Sequence, residues 1–425
     1  MKSCANMNPI WIALLLVGIF SSSETSQGLK LINEWKSIDF NFPTLQLRQS
    51  AITRREFIPG QAVPIDVDVH YQVQGAYSKV FITFPRFREG IPMTLGTRST
   101  FKSGDGSNVI DPYPDYNWHV NPTQDCNNRM ISVFRIAIDK CNRLWVVDTG
   151  KIGLATSPYV CPPKILVFNL INNQLLHRYI IPQNQYSDYS FFVTPIVHVG
   201  DSPPGACLNS KAYIADVAAY GLLVYDSQTD SSWRVQNKFM YPYPTWGTHT
   251  ISGESFELMD GIIGMDVDKQ RQISQRSLYF HALASEHENI VPLSVLDNRT
   301  AWENDPYALP NSFKILGPKG SPSAASATDS NGNLFFGLNS MNAIACWNTK
   351  GKLSRNTIKT LIRDDDRLQF ASGMKVIENT DGEEELWIVT NRFQKVFLNT
   401  MNNNEVNFRI QAQRIGELLR GGRCA

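Results

Sequence analysis

The sequence has 425 residues, of which 40 are Lys or Arg and 39 are Asp or Glu, so its formal net charge is +1. This balance gives no electrostatic reason to expect a nucleic acid or an anionic membrane as a partner. A chain of this length can form several small domains or one large β architecture.

The first 27 residues have the features of a secretory signal peptide. Met1 and Lys2 precede an apolar segment at 10–20, and a polar stretch of small residues follows at 21–28. The apolar segment is shorter than the roughly 20 residues that a membrane-spanning helix needs. We therefore predict a signal peptide over 1–27 and a secreted mature protein. A glycosylation sequon at Asn298 also fits secretion.

A short β-branched and aromatic pattern recurs along the rest of the chain. Its copies are KVFITFPRF (79–87), RLWVVDTG (143–150), KAYIADVAAYG (211–221), SLYFHALAS (277–285), NLFFGLNSMN (333–342) and ELWIVTNRF (385–393). Successive copies are separated by roughly 50–70 residues, which indicates an internal structural repeat.

Further candidate strands flank these copies. One precedes each of them, as in ISVFRIAID (131–139), and a third follows several, clearest in KILVFNL (164–170), GLLVYD (221–226), PLSVLD (292–297) and AIACWN (343–348). Repeated strands and turns without helical periodicity predict antiparallel sheets. The spacing predicts an all-β fold, a six-bladed β-propeller of four-stranded sheets that forms a single domain over 28–425. We expect WKSIDFNF (35–42) to complete the last blade and so close the ring.

The triplet Asp-Thr-Gly at 148–150 is also the catalytic motif of aspartic proteases. Such an enzyme needs two carboxylates that share one proton, and this chain has no second triplet. The propeller instead places Asp148 at the end of the second strand of the second blade. The sequence therefore argues against a protease.

Six cysteines remain after the predicted signal peptide. Cys141 and Cys207 fall in corresponding turns at one end of neighbouring blades, whereas Cys126 and Cys161 flank one sheet at the other end. We therefore predict the disulfides Cys141–Cys207 and Cys126–Cys161. Cys346 lies within a candidate strand, and we predict a buried free thiol there.

The second strands of all blades run in the same sense, so their ends should gather on one face of the ring. The polar residues at or near these ends are Arg86, Asp148, Asp216, His281, Asn339, Asn342, Thr390 and Asn391. Each alone is typical of a turn or a strand-end cap, but together they predict a small-ligand pocket at the channel mouth. Asp148, Asp216 and His281 are the candidates for proton transfer.

Asp66, Asp68 and His70 alternate along one candidate strand and therefore point to the same face. They can line the channel, hold a hard cation or lie on a solvated or blade-contacting face. The chain lacks the spacing of a zinc site, a nucleophile elbow or a phosphate-binding glycine loop. We therefore predict no metal site and no cofactor.

Several long segments resemble the yellow and major royal jelly protein family of insects. They are VFITFPRFREGIPMTL (80–95), RLWVVDTG (143–150), DVAAYGLLVYD (216–226), SWRVQNKFMYPYP (232–244), FELMDGIIGMDVD (256–268), SLYFHALASEHE (277–288), ACWNT (345–349) and LQFASGMKV (368–376). The resemblance implies a secreted six-bladed propeller of the melanin and cuticle pigmentation pathway. It leaves three functions open: binding of catechol- or indole-type amines in the central channel, conversion of dopachrome by a tautomerase, and a structural or signalling role without small-molecule binding.

The resemblance also implies ligand contacts, because the amine-binding relatives use an Asn and a backbone carbonyl two residues further on. Asn342 and Ile344 match that pattern here, and Thr328 is the nearest match to a contacting Thr. Together with Asn339, Arg86 and Asn391 from the strand ends, they form the predicted binding set for a small aromatic amine or a dopachrome-like molecule. The sequence does not indicate an oligomeric state.

Overall fold

The structure is a computed structural model that describes residues 28–71, 79–201, 207–420 and 424. The predicted signal peptide lies outside these residues. Within the described ranges, no helix is long and apolar enough to cross a membrane.

Most of the described chain forms strands. In chain order they are β1 (Lys30–Trp35), β2 (Val67–His70), β3 (Lys79–Thr83), β4 (Leu95–Lys102), β5 (Asn108–Pro112), β6 (Val133–Ile138), β7 (Arg143–Asp148), β8 (Lys164–Asn169), β9 (Leu175–Ile180), β10 (Phe192–Val199), β11 (Ser210–Asp216), β12 (Gly221–Asp226), β13 (Ser231–Gln236), β14 (Thr248–Ile251), β15 (Glu254–Glu257), β16 (Ile262–Val267), β17 (Ser277–Ala282), β18 (His287–Pro292), β19 (Lys314–Pro318), β20 (Ser326–Thr328), β21 (Asn333–Leu338), β22 (Ala343–Asn348), β23 (Lys359–Arg363), β24 (Phe370–Glu378), β25 (Glu384–Asn391) and β26 (Phe408–Arg414). The helices are α1 (Leu45–Thr53), α2 (Leu293–Leu296), α3 (Arg299–Trp302), α4 (Phe393–Phe397) and α5 (Ile415–Leu419).

The strands form six four-stranded antiparallel sheets, which confirms the predicted six-bladed propeller. Blades 1 to 5 are β2–β5, β6–β9, β10–β13, β16–β19 and β20–β23, and blade 6 is β24–β26 with β1 at its outer edge. The first strand of each of the six blades contacts those of its two neighbours, so these strands surround the axis. The faces between blades bury apolar side chains.

The ring closes through the N-terminal strand, although not through the segment that the sequence predicts. β1 pairs with β26, with Trp35 opposite Phe408, and only the last residue of this strand belongs to the predicted segment 35–42. Beyond Trp35, Ile38 and Phe40 are buried in the core of blades 1 and 6. The apolar character of 35–42 thus reflects core packing rather than a strand of the blade.

The predicted third strand of blade 4, PLSVLD (292–297), is also wrong. β18 ends at Pro292, and α2 follows it. Proline has no backbone N–H to continue the ladder. Leu293 and Leu296 are both buried, and their i, i+3 spacing places them on one face of the helix.

The two predicted disulfides, Cys126–Cys161 and Cys141–Cys207, are present. The prediction of a free thiol at Cys346 is wrong, because this residue is bonded to Cys424 with a Cα–Cα distance of 5.6 Å. Cys424 thus lies beside β22 of blade 5. The position of Cys346 within a strand contains no information about this distant partner.

Candidate functional site

A single arginine closes the channel along the axis. Arg135, on β6 of blade 2, is 4% exposed. Its Nη1 donates to Thr194 Oγ1 at 3.1 Å and to the carbonyl of Ile263 at 3.0 Å, and its Nη2 donates to the carbonyls of Ala324 at 2.8 Å and Ser372 at 2.7 Å. These acceptors lie in blades 3 to 6 or just before them. One side chain therefore ties five parts of the ring together and divides the channel into two chambers.

The chamber on the face where the first strands begin, the upper chamber, has a volume of about 570 Å³. Its walls are mainly apolar and include the aromatic residues Phe87, Phe134, Phe191, Phe370, Phe393 and Phe397. The hairpin β14–β15, inserted between blades 3 and 4, supports one wall, because the ring of Phe256 packs at 5.0 Å from that of Phe397 on α4. A mainly apolar cavity of this size with a few polar groups is typical of a small-molecule site.

Asp260 is the acidic residue among those that line the upper chamber. Burial among apolar neighbours raises the pKa of its carboxyl to about 7. A carboxyl with this pKa can both take up and release a proton near neutral pH. Asp260 is thus the side chain in the upper chamber best suited to proton transfer.

The segment that carries Asp260 is fixed to blade 3. The next residue, Gly261, donates its backbone N–H to the carbonyl of Val217 at 2.9 Å. A Cβ on Gly261 would lie 2.5 Å from the ring of Tyr220 and 2.7 Å from the carbonyl oxygen of Met240. Glycine is therefore required for this close approach, which holds the carboxyl of Asp260 at the chamber wall.

Arg88 lines the chamber from the segment between β3 and β4 of blade 1. Its Nη2 donates to Asn399 Oδ1 at 3.1 Å, and burial lowers the pKa of the guanidinium. Asp260 lies just before β16 of blade 4, which is opposite blade 1 in a ring of six. The chamber therefore has a cationic group on one side and an acidic group on the other.

The chamber on the opposite face, the lower chamber, has a volume of about 590 Å³ and a more polar lining. Asp66, Asp68 and His70 all line it, as one of the sequence alternatives proposed. Asp66 pairs with Lys375 at 3.0 Å, and burial raises the pKa of Asp68 to about 7. Among the described residues, no group of His, Cys, Asp and Glu has the arrangement of a metal site.

The three sequence candidates for proton transfer lie inside the blades rather than on the wall of the upper chamber. Asp148 accepts from the backbone N–H of Ile131 at 2.7 Å and pairs with Lys164 at 2.8 Å. Asp216, at the equivalent position of blade 3, pairs with Arg234 at 2.8 Å. Both carboxylates are fully buried. They bind neighbouring groups at the strand ends and cannot reach a ligand in the chamber.

His281 belongs to a buried network in blade 4. Its Nδ1 lies 2.8 Å from Glu288 Oε2, which also accepts from Lys319 Nζ at 2.9 Å. Burial lowers the pKa of His281, and its ring packs directly on Gly264, where any Cβ would lie 2.0 Å from Nε2. This environment argues against a catalytic role for His281.

The predicted ligand-binding residues also lie outside the walls of the upper chamber. Arg86 donates to five backbone carbonyls, those of Ile91, Pro92, His119, Met130 and Ile131. Asn391 donates to the carbonyl of Pro64 at 2.9 Å, and Thr390 to that of Arg367 at 2.8 Å. These groups connect segments of the propeller to each other.

The predicted binding residues of blade 5 are also held within the protein, away from the chamber walls. Asn342 has a left-handed backbone and donates to Ser252 Oγ at 3.0 Å, while Ile344 is buried in the core shared with blade 6. Asn339 is buried, and its side chain has no hydrogen-bond partner among the described residues. Thr328 bonds to Asp266 at the lower end of β20. The predicted binding set is therefore dispersed over the fold rather than gathered around one cavity.

The strand-end argument thus selected residues that lie one layer outside this cavity. The residues that line it come from the starts of the first strands and from the segments before them. One signal in the sequence could have identified Asp260. It is an acidic residue followed by glycine, directly before the apolar innermost strand in FELMDGIIGMDVD (256–268).

The fold and the chamber define a six-bladed propeller with an axial cavity, and comparison with known proteins identifies the family. The sequence profile described as "Major royal jelly protein" matches residues 131–424. Dopaminechrome tautomerase of Drosophila melanogaster is 31% identical over 411 residues, which cover 95% of this chain and 86% of that protein. Major royal jelly protein 9 of Apis mellifera is 37% identical over 402 residues, 92% of this chain and 89% of the relative. Protein yellow of Drosophila erecta is 30% identical over 419 residues, 97% of this chain and 74% of the relative. The chain belongs to the yellow and major royal jelly protein family, which confirms the resemblance seen in the sequence.

Proposed function

We propose that this chain isomerises a dopachrome-like aminochrome to a dihydroxyindole in the upper chamber, with Asp260 as the proton-transfer group. The observation that carries the proposal is the carboxyl of Asp260, whose pKa is raised to about 7 in an apolar, aromatic-lined cavity. The similarity of the chain to dopaminechrome tautomerase supports this reaction. The names of the yellow relatives support a place in pigmentation.

The chemistry requires only proton transfer. Isomerisation of an aminochrome moves two protons from carbon atoms of the five-membered ring to the two quinone oxygens, while the electrons shift within the molecule. No oxidant, reductant or cofactor is needed. A carboxylate of Asp260 removes a proton from carbon, and the resulting acid can return a proton to the quinone side.

We further propose that the protein acts outside the cell. The predicted signal peptide supports this location. The structure contains three disulfides, at Cys126–Cys161, Cys141–Cys207 and Cys346–Cys424. Disulfides of this kind persist in oxidising, extracellular environments.

The test is the decay of dopachrome and dopaminechrome, measured with the purified mature protein and with Asp260→Asn. We expect kcat to fall about 100- to 10,000-fold in the variant, the usual contribution of a general acid or base. Glu257→Gln is the matched control, because Glu257 is a nearby acidic residue that is exposed on β15. An Asp260→Asn variant that retains the wild-type rate would refute the proposal.

Binding of a catechol- or indole-type amine without turnover is the second candidate. The same carboxyl favours it, because an ammonium group beside Asp260 would stabilise the ionised form. Titration calorimetry with dopamine, serotonin and octopamine separates the two functions. Micromolar binding that is lost in Asp260→Asn, with no acceleration of aminochrome decay, would support a carrier role instead of an enzyme.

A further inference from the structure

The ionisable residues that line the upper chamber are Arg88, Arg135 and Asp260. They differ in how many of their hydrogen-bonding groups already have a partner within the protein. The four hydrogen bonds of Arg135 use all the N–H groups of its two Nη atoms. Arg135 therefore forms the floor of the chamber with all its Nη–H groups used, and its one remaining donor is the Nε–H, which has no partner among the described residues.

Arg88 is only partly satisfied. Asn399 accepts from its Nη2 at 3.1 Å, whereas its Nη1 is buried without a hydrogen-bond partner among the described residues. A buried donor without a partner destabilises the protein, and more so when it is charged. A bound anion would satisfy this guanidinium.

Arg88 and Asp260 are also independent of each other. Burial is the only cause of the change in pKa at either group, with no contribution from the charge across the chamber. Their positions on opposite blades agree with this. A ligand held between them meets a cation on one side, the acid on the other and aromatic rings in between.

We infer that Arg88 is the specificity-determining residue of the upper chamber and that it binds an anionic substituent, so that the preferred ligands are aromatic carboxylates. This inference rests on the proposed function for the role of Asp260, but it makes a separate statement about binding. A guanidinium presents a planar fork of donors that matches a carboxylate. The carboxylate end of the ligand would bind at blade 1, and its reactive ring would then lie towards Asp260.

The test uses two unreactive probes, indoline-2-carboxylate and indoline, in titration calorimetry with the full mature protein. We expect the wild type to bind the carboxylate at least about tenfold more tightly, as a charge-assisted hydrogen bond provides. Arg88→Met should bring the two dissociation constants together. Arg88→Lys should keep part of the preference, because lysine retains the charge but not the fork.

Two further variants show whether a loss of the carboxylate preference is specific to Arg88. Arg363→Met removes an exposed arginine outside the chamber and should keep the carboxylate preference. Asn399→Ala removes the partner that orients Arg88 and should weaken the preference without abolishing it. A thermal unfolding midpoint near the wild-type value in each variant shows that the fold is intact.

The outcomes separate this inference from the proposed function. Equal affinity of the wild type for both probes, or a carboxylate preference that survives Arg88→Met, would overturn the inference even if aminochrome turnover is found. A preference that depends on Arg88, without turnover, would support the inference and refute the enzyme. Failure of both probes to bind would overturn both the inference and the chamber as an aromatic site.

Discussion

Arg135 Nη2 donates to the carbonyl oxygen of Ser372 at 2.7 Å across the propeller axis, although the two residues are 237 positions apart in the sequence. The same guanidinium also reaches Thr194, Ile263 and Ala324. A propeller is usually held together by contacts between neighbouring blades. Here one side chain adds a connection through the centre, and it also forms the barrier between the two chambers.

Replacement of Arg135 should therefore loosen the ring and open the channel. We expect Arg135→Met to lower the free energy of unfolding by about 1–3 kcal/mol, because several acceptors lose their donor. Water from the chambers can reach these acceptors and limits the loss. Denaturant unfolding provides the measurement, with Arg135→Lys as the control that retains a positive charge. Unchanged stability in Arg135→Met would show that the axial hydrogen bonds contribute little.

The buried pair of Asp148 and Lys164 gives a second prediction. Both side chains are fully buried, and Lys164 Nζ lies 2.8 Å from Asp148 Oδ2. Asp148→Ala leaves a buried lysine without its partner and should cost roughly 3–5 kcal/mol of folding free energy. The double variant Asp148→Asn with Lys164→Met should recover part of this loss, because no unpaired charge remains. A catalytic Asp148 would instead give a stable but inactive variant, which separates the two interpretations of the motif.

The third disulfide attaches Cys424 to blade 5. Cys424 follows α5 of blade 6 and is bonded to Cys346 on β22 of blade 5, 78 residues away in the sequence. Replacement of both cysteines by alanine should lower the free energy of unfolding by about 2–5 kcal/mol, the range for loss of a native disulfide. Thermal unfolding under non-reducing conditions measures the effect. A variant as stable as the wild type would show that the core between blades 5 and 6 holds this segment without the covalent bond.

The sequence contained enough information to predict the ring because each blade repeats the same local pattern. RLWVVDTG and its relatives are buried strands followed by turns, and period and turn chemistry are local properties. The errors occurred where the local pattern does not determine the structure. PLSVLD is apolar enough for a strand, but Pro292 ends the ladder. The partner of Cys346 is determined by the path of a distant C-terminal segment.

The site was harder to predict than the fold. Asp148, Asp216 and His281 have the residue types that catalysis needs, but the sequence does not reveal that Lys164, Arg234 and Glu288 already satisfy them. Asp260 acquires its properties from apolar residues contributed by several blades. That environment exists only after the ring has closed.

Asp260 also makes a prediction about pH and stability. In the folded protein its pKa rises from 3.8 to about 7, so folding favours the protonated carboxyl. The stability that the protonated form contributes is fully present below pH 4 and is lost as the pH rises through 7. Relative to Asp260→Asn, the wild type should therefore lose stability over this window. We expect a loss of roughly 1–2 kcal/mol, since each pKa unit corresponds to about 1.4 kcal/mol and the open chamber reduces the effect.

Comparison of the wild type with Asp260→Asn isolates the contribution of Asp260. Asp68 also has a raised pKa, but it titrates in both proteins and its contribution cancels. Denaturant unfolding of the wild type and Asp260→Asn at pH 4, 6 and 8 gives the measurement. The stability of the variant relative to the wild type should be greater at pH 8 than at pH 4. If Asp260 transfers the proton, kcat/KM for aminochrome decay should change with an apparent pKa near 7, because this ratio reports groups of the free enzyme. A pH-independent stability difference would place the carboxyl in contact with water, and the basis for its proposed catalytic role would be lost.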